Sequence, residues 1–396
     1  MKRRYTFHPQ DYAVGENEKY YADMAQRGWI LEKRGATFSR FRRSEPQKLK
    51  YRIELSSPAY FDDDQQLPDE QVALYEESGW KYVTSAGLVH IFCAPENSSV
   101  PEFYNDPRQQ AATVKALKRS YVGSCLAVML LLAVHVVIAA AMAGNAGEWL
   151  VEFGAEVRIA WVRATALVLA WFSLMAVLFY DLLRGVISTQ LLYRRLRSGR
   201  PIDHSPKRPV VYRVIRWVLG SLTVLFALLF VIQLCGVKTA EMPDEADGPY
   251  LLLYDMGWTG ERTINYLGQP SEVETARSLA ARQWHTYECV SDGADSEVWM
   301  YQDVYQMRSP ARAMALAPVL MRDATFAHGP ESFSAVSVPG LDAAWRAGME
   351  FIAVRGDTVW YITYSDPGLY SPEEELLGDP LAALAHILNT EETSGE

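Results

Sequence analysis

The sequence predicts an α+β protein with transmembrane helices. An N-terminal duplicated βαββ sheet domain leads into a three-helix membrane region, and a C-terminal extracytoplasmic α+β domain follows. Three observations carry this expectation: two N-terminal segments repeat one pattern, three long stretches are apolar on every face, and charge is partitioned by block. Of 396 residues, 49% are hydrophobic and 22% charged, with a net charge of −10. Those averages exclude a collagen-like, low-complexity or wholly disordered chain. The partition is more informative. Residues 1–121 hold 18 basic and 17 acidic side chains, residues 122–237 hold 11 and 5, and residues 238–396 hold 9 and 26. The blocks therefore carry +1, +6 and −17, which suggests three environments.

The first domain is expected over residues 1–104. A strand at 4–8 (RYTFH) precedes a short amphipathic helix, a Gly-Trp pair and two strand-like runs within 16–43; a strand at 50–55 (KYRIEL) precedes the same sequence of features within 69–94. Read twice, β-α-β-β gives a sheet with helices on one face. Gly28 and Gly79 fall just past the helix ends, where a left-handed C-cap favours glycine. Trp29 and Trp80 then open the next strand and pack back on the helix just completed. Arg40, Arg42 and Arg43 read as a solvated face, and the near-neutral domain gives no expectation of nucleic-acid binding. Asp62, Asp63 and Asp64 precede the second helix and suit its N-terminus better than a calcium loop, which would need a Gly and a bidentate Glu.

These features carry a resemblance. Gly28-Trp29, Gly79-Trp80 and the Tyr51-Arg52-Ile53 strand, followed by membrane spans, resemble an uncharacterised family of bacterial membrane proteins, mostly Gram-positive. Genes of that family often lie beside PadR-type repressors. The resemblance covers roughly residues 5–95, about a quarter of the chain, and implies an inner-face domain able to engage a regulator. It transfers no catalytic residue.

A basic linker or helix over 105–121 leads to the apolar stretches 122–143, 164–183 and 217–237. About 20 helical residues cross a hydrocarbon core of roughly 30 Å, so all three qualify as spans. Soluble helices are rarely apolar all round for that length. Lysine and arginine bias sets orientation. Arg108, Lys115, Lys118 and Arg119 precede the first span, and Arg194, Arg195, Arg197, Arg200, Lys207, Arg208, Arg213 and Arg216 lie in the loop 184–216. Both flanks are expected inside. The loop between spans one and two, with Glu148, Glu152 and Glu156, and the acidic tail are expected outside. Trp149, Trp161, Tyr180, Tyr193 and Trp217 fall near the span ends, as interfacial aromatics do. No cleavable signal peptide is expected, so the first span would direct export. The basic residues of the inner loop suit an anionic leaflet, with a dedicated phosphoinositide or protein site as the alternative.

Residues 238–250 read as a polar linker and 251–396 as the outer domain. The expected elements are a helix at 271–282, strands at 284–290 and 298–305, a helix at 310–324 opened by Ser309-Pro310, a hairpin at 351–364 around Gly356-Asp357, and a helix at 372–388. Alternating runs such as TVWYITY suggest one sheet face packed by helices. The scattered acids suit solubility, with cation binding as the alternative.

Chemical motifs are sparse. HExxH, GxSxG, GxxxxGK[ST] and GxGxxG do not occur, and neither the seven histidines nor the four cysteines stand at ligand spacing. His285 and Glu288 in one strand would face opposite ways. His135 within the first span is a possible intramembrane polar site, or a neutral imidazole bonded to a residue such as Ser173 or Thr223. No catalytic residue, metal or cofactor is expected. The lipid bilayer is the expected partner, together with a cytosolic regulator or a membrane-complex partner. Function is expected to be signal sensing or transduction, with an accessory or assembly subunit and an unrecognised extracytoplasmic hydrolase as alternatives.

Overall fold

The computed structural model describes residues 2–55, 67–142, 146–204, 206, 210–265, 268–291, 297–327, 329–370 and 376–394. They divide into two compact units, Met1–His135 with Met175–Val218, and Val136–Leu174 with Leu219–Glu396.

The first unit opens with β1 (Arg3–Phe7), α1 (Val14–Gln26), β2 (Trp29–Arg34) and β3 (Phe38–Arg43), then β4 (Leu49–Leu55), α2 (Asp69–Glu77), β5 (Lys81–Ala86) and β6 (Val89–Pro95). Both βαββ runs form an antiparallel three-stranded sheet in the order first–third–second, β1-β3-β2 and β4-β6-β5. The strands thus make two sheets where the sequence suggested one, and both carry a bulge at the same place, Leu31/Lys33 and Tyr82/Thr84. Gly28 at φ 76° and Gly79 at φ 95° end their helices in left-handed backbone. Trp80 is buried beside Phe92 and Phe103, whereas Trp29 is half-buried between the guanidiniums of Arg4 and Arg43. Asp62, Asp63 and Asp64 lie outside the described residues.

Three helices are long and apolar enough to cross a membrane. They are α3 (Pro107–Met142), α5 (Thr165–Arg197) and α6 (Val210–Cys235), with α4 (Ala146–Arg163) between the first two. Each outruns or shifts from its apolar stretch. The amphipathic start of α3 supplies Ala111, Val114 and Leu117 to the N-terminal core, and the basic end of α5 supplies Leu196. Their apolar middles stay exposed, as at Leu131, Phe179 and Ile232, as in helices that have lipid rather than protein as their solvent. Residues 184–197, expected within a loop, extend α5 by about four turns.

The second unit is built on one antiparallel nine-stranded sheet. Its strands are β7 (Lys238–Glu241), β8 (Glu261–Arg262), β9 (Glu272–Arg277), β10 (Ala281–Ser291), β11 (Glu297–Met307), β12 (Ser334–Val336), β13 (Ala343–Ala347), β14 (Glu350–Arg355) and β15 (Thr358–Ser365). The order is β12-β13-β14-β15-β11-β10-β9-β7, with β8 beside β10. Three expectations fail here. The expected helix at 271–282 is β9, a turn and the start of β10; Ser278 Oγ accepts the Ala280 and Ala281 N–H groups at 3.0 Å, and strand pairing overrides helical propensity. The expected linker contributes β7, paired with β9, and buries Met242 and Tyr250. The loop after span one is the helix α4, whose Ala155, Ile159 and Val162 form a buried helical stripe.

Both sheet faces are covered. Helix α7 (Pro310–Asp323) and α4 pack on Tyr305, Ile352, Val354, Val359 and Tyr361. On the other face lie residues 250–253 and α8 (Pro380–Ser394), against Phe351, Trp360, Ile362 and Tyr364. Hence β15 is buried along its whole length. Helix α8 begins later than expected, and the glutamates at 373–375 lie outside the described residues.

Candidate functional site

Two clusters of polar side chains, one in each unit, adjoin the apolar helices and are the candidate sites. The first is a cavity of about 220 Å³ built from the segment after β1, the middle of α5 and the start of α6. Phe7 meets Trp217 edge-on, with ring centroids 5.3 Å apart. Arg216 Nε donates to Asp181 Oδ2 at 3.0 Å, and the Gln10 amide lies against both. The Arg184 guanidinium sits 3.5 Å over the Tyr212 ring, and the Tyr180 hydroxyl donates to the Tyr212 carbonyl at 3.3 Å. Arg213 completes the basic lining. Burial first, and then the nearby Asp181 carboxylate, push the Tyr12 hydroxyl up to about 12. Burial, followed by the charge of Arg34, lowers the His8 pKa, so His8 is neutral at physiological pH.

The basic connector is tied to the same domain. His204 Nδ1 lies 2.5 Å from Glu18 Oε2, and Glu18 Oε1 accepts the Ile53 N–H at 3.0 Å. Arg194, Arg195 and Arg197 occupy the last turn of α5; Arg200 follows it, and Arg213 and Arg216 lie near the start of α6. Lys207 and Arg208 lie outside the described residues. The structure therefore brings Arg213 and Arg216 to the cavity with Arg184, which no sequence motif singled out. Its signal was available: Asp181 and Arg184 stand one turn apart where an otherwise uncharged span ends.

The second place is a buried carboxylate on the second unit's sheet. Asp303 of β11 stands opposite His285 of β10, which stands opposite Glu274 of β9, so all three share a face. Asp303 accepts from Arg163 Nη2 at 2.8 Å and from the Tyr301 hydroxyl at 2.9 Å, and it pairs with His285 Nδ1. Burial opposes its ionisation, but the His285 hydrogen bond and charge, joined by Arg163, outweigh it and hold the Asp303 pKa below the ordinary carboxylate value. Arg163 ends α4; its carbonyl accepts from Gln233 of α6 at 2.6 Å and from Gln283 of β10 at 3.2 Å. An open cleft of about 370 Å³ adjoins the cluster, lined by Glu272, Glu274, His285 and Tyr287. Glu288 points to the other face, where it accepts from the Leu253 N–H at 2.7 Å and Arg262 Nε at 2.9 Å. Sequence reading missed the Arg163–Asp303–His285 cluster because its members are far apart in the chain.

His135 lies in α3, and its side chain is outside the described residues. The Ser173 and Thr223 hydroxyls donate to carbonyls of their own helices, Ala170 at 2.9 Å and Leu219 at 3.0 Å. Gly28, Trp29, Gly79 and Trp80 serve packing and helix termination, as above. Among the described residues, no three His, Cys, Asp or Glu side chains gather at metal-binding distance.

Residues 13–126 match a family described as "Protein of unknown function (DUF2812)". The match runs from the start of α1 to the apolar part of α3, so it joins the two-sheet domain to the first candidate span. It agrees with an uncharacterised family. No curated protein and no solved structure matches the chain. A domain of unknown function joined to three such helices fits an integral membrane protein.

Proposed function

We propose that the chain is a non-enzymatic, multi-pass protein of a bacterial cell membrane that transmits a signal between an extracytoplasmic module and a cytoplasmic domain. Residues 2–104 would face the cytoplasm and residues 238–394 the exterior. The duplicated βαββ domain would bind a cytosolic regulator, of PadR type if the family resemblance extends that far. The observation that carries the reading is the split membership of α5: Thr165–Leu174 falls in the second unit, and Met175–Arg197 in the first. Just ahead of α5, at the end of α4, the Val162 and Arg163 carbonyls accept from Gln283 of the sheet. At the end of α5, Leu196 is fully buried in the N-terminal core. Helix α5 thus contributes residues to both units, as an element that carries a signal between them would. The cations flanking α3 and joining α5 to α6 support the orientation.

Alkaline phosphatase fused after Thr390 is expected to be active, and fused after Pro101 inactive. The opposite pattern would reverse the orientation. Affinity capture in mild detergent tests the role: a stoichiometric transporter partner would replace signalling by an accessory-subunit function.

A further inference from the structure

The cavity beside α5 and α6 has a lining that fits one kind of ligand. Three arginines line it, Arg184, Arg213 and Arg216, against one carboxylate residue, Glu16. Asp181 pairs with Arg216 at 3.0 Å, so with Glu16 counted the lining arginines still outnumber the nearby carboxylates. Among the described residues neither Arg184 nor Arg213 has a carboxylate partner; Arg184 instead rests on the Tyr212 ring. His8 adds no charge, since burial and Arg34 keep it neutral. Planar guanidiniums converging from two helices are the usual means of holding a phosphate through paired hydrogen bonds.

The surroundings decide which phosphate. Phe179, Leu183, Val214, Trp217 and Val218 border the cavity's helices and are each more than 40% exposed. An apolar surface beside a cationic cavity suits a molecule with an acyl chain and an anionic head. At about 220 Å³ the cavity is smaller than the roughly 300 Å³ at which pockets enclosing whole drug-sized ligands begin. A headgroup fits; its chains would lie along the exposed helix faces. Trp217, crossed edge-on by Phe7, also lines the cavity, and tryptophan is a residue type that favours the headgroup level.

We infer that this cavity is a binding site for the phosphate of an anionic phospholipid, held by Arg184 and Arg213, with Arg216 beside them fixed by Asp181. The inference rests on the membrane reading above and deepens it: the segment after β1 forms one wall, so a bound headgroup would touch the N-terminal domain directly.

The test uses the full-length protein purified in a neutral detergent and titrated with phosphatidylglycerol, phosphatidylcholine or glycerol 3-phosphate. Bound lipid is read by native mass spectrometry. Phosphatidylglycerol is expected to bind at least five-fold tighter than phosphatidylcholine. Arg184→Gln and Arg213→Gln should each weaken it about five-fold, equivalent to about 1 kcal/mol per cation. Arg194→Gln, in the last turn of α5, should leave it unchanged. Equal binding of the two lipids by the unaltered protein, or no loss in either cavity variant, would overturn the site. Glycerol 3-phosphate binding as tightly as phosphatidylglycerol would overturn the lipid assignment in favour of a soluble phosphate. Alkaline carbonate separates the two levels of argument. A chain released from vesicles by carbonate refutes the membrane reading and the lipid site with it. A chain that stays, yet shows no headgroup preference, refutes the site alone.

Discussion

Gly28 and Gly79 show how much one backbone angle decides. At φ 76° and 95° they let α1 and α2 stop and turn directly into a strand. An added Cβ would also meet the Ser44 carbonyl oxygen at 2.7 Å or Val100 Cγ2 at 3.0 Å. Gly28→Ala and Gly79→Ala are each expected to cost about 1–2 kcal/mol, measured by thermal unfolding in detergent. A second residue-scale feature is the cross-strand pair Glu54–His90, buried on one face of β4 and β6. Burial raises the Glu54 pKa to about 7, partly offset by the Tyr104 hydroxyl that donates to it at 2.5 Å. Burial lowers His90 to about 4. The signs oppose. The Glu54 contribution is present below pH 4.5 and lost as pH rises through about 7, whereas the His90 contribution is present above 6.5 and lost as pH falls through about 4. Of this pair, only Glu54 still titrates between pH 6.5 and 8. Its term should lower stability over that window in the unaltered protein, by up to about 3 kcal/mol in total from pH 4.5 upward, and that fall should be smaller in Glu54→Gln.

At the scale of elements, the helices that look like simple membrane spans are also parts of folded domains. α3 and α5 approach closely at Gly185, where a Cβ would stand 2.3 Å from the Tyr121 ring. Gly185→Ala should cost about 1–3 kcal/mol through overpacking, and adding Tyr121→Ala should recover part of the loss by opening the space. A double-mutant cycle on the melting temperature checks the coupling. In the other unit, α4 is fixed to the sheet by its apolar stripe and by Gln283, whose amide donates to the Val162 and Arg163 carbonyls at 3.0 and 3.2 Å. The Val162 carbonyl lies in the last turn of a helix, where carbonyls lack an intrahelical partner, while that of Arg163 also accepts from Gln233. Gln283→Leu is expected to cost about 1–3 kcal/mol.

At the scale of the molecule, two compact units with separate cores imply two unfolding transitions rather than one. Gly79→Ala should lower only the transition of the N-terminal unit and Gln283→Leu only the other. Differential scanning calorimetry of both variants in the same detergent would show it. A single transition shifted equally by both substitutions would mean that the units unfold together.

The amino-acid sequence by itself determined the parts governed by local pattern. Apolar runs of about 20 residues specify spanning helices because lipid leaves the backbone no other partner. Gly-Trp after a short amphipathic helix specifies a left-handed stop and a packed strand, and Gly356-Asp357 between two β-rich runs specifies a hairpin. Only tertiary structure decided the rest. Glu272–Arg277 has the composition of a helix and becomes a strand because β10 offers it a pairing edge. The segment 146–163 reads as a polar loop until the sheet face that buries its Ala155–Ile159–Val162 stripe is known. Arg184 meets Arg213 and Arg216, and Arg163 meets Asp303 and His285, only once helices and strands from distant parts of the chain are packed. Periodicity records which face of an element is buried; it carries no record of which other element will bury it.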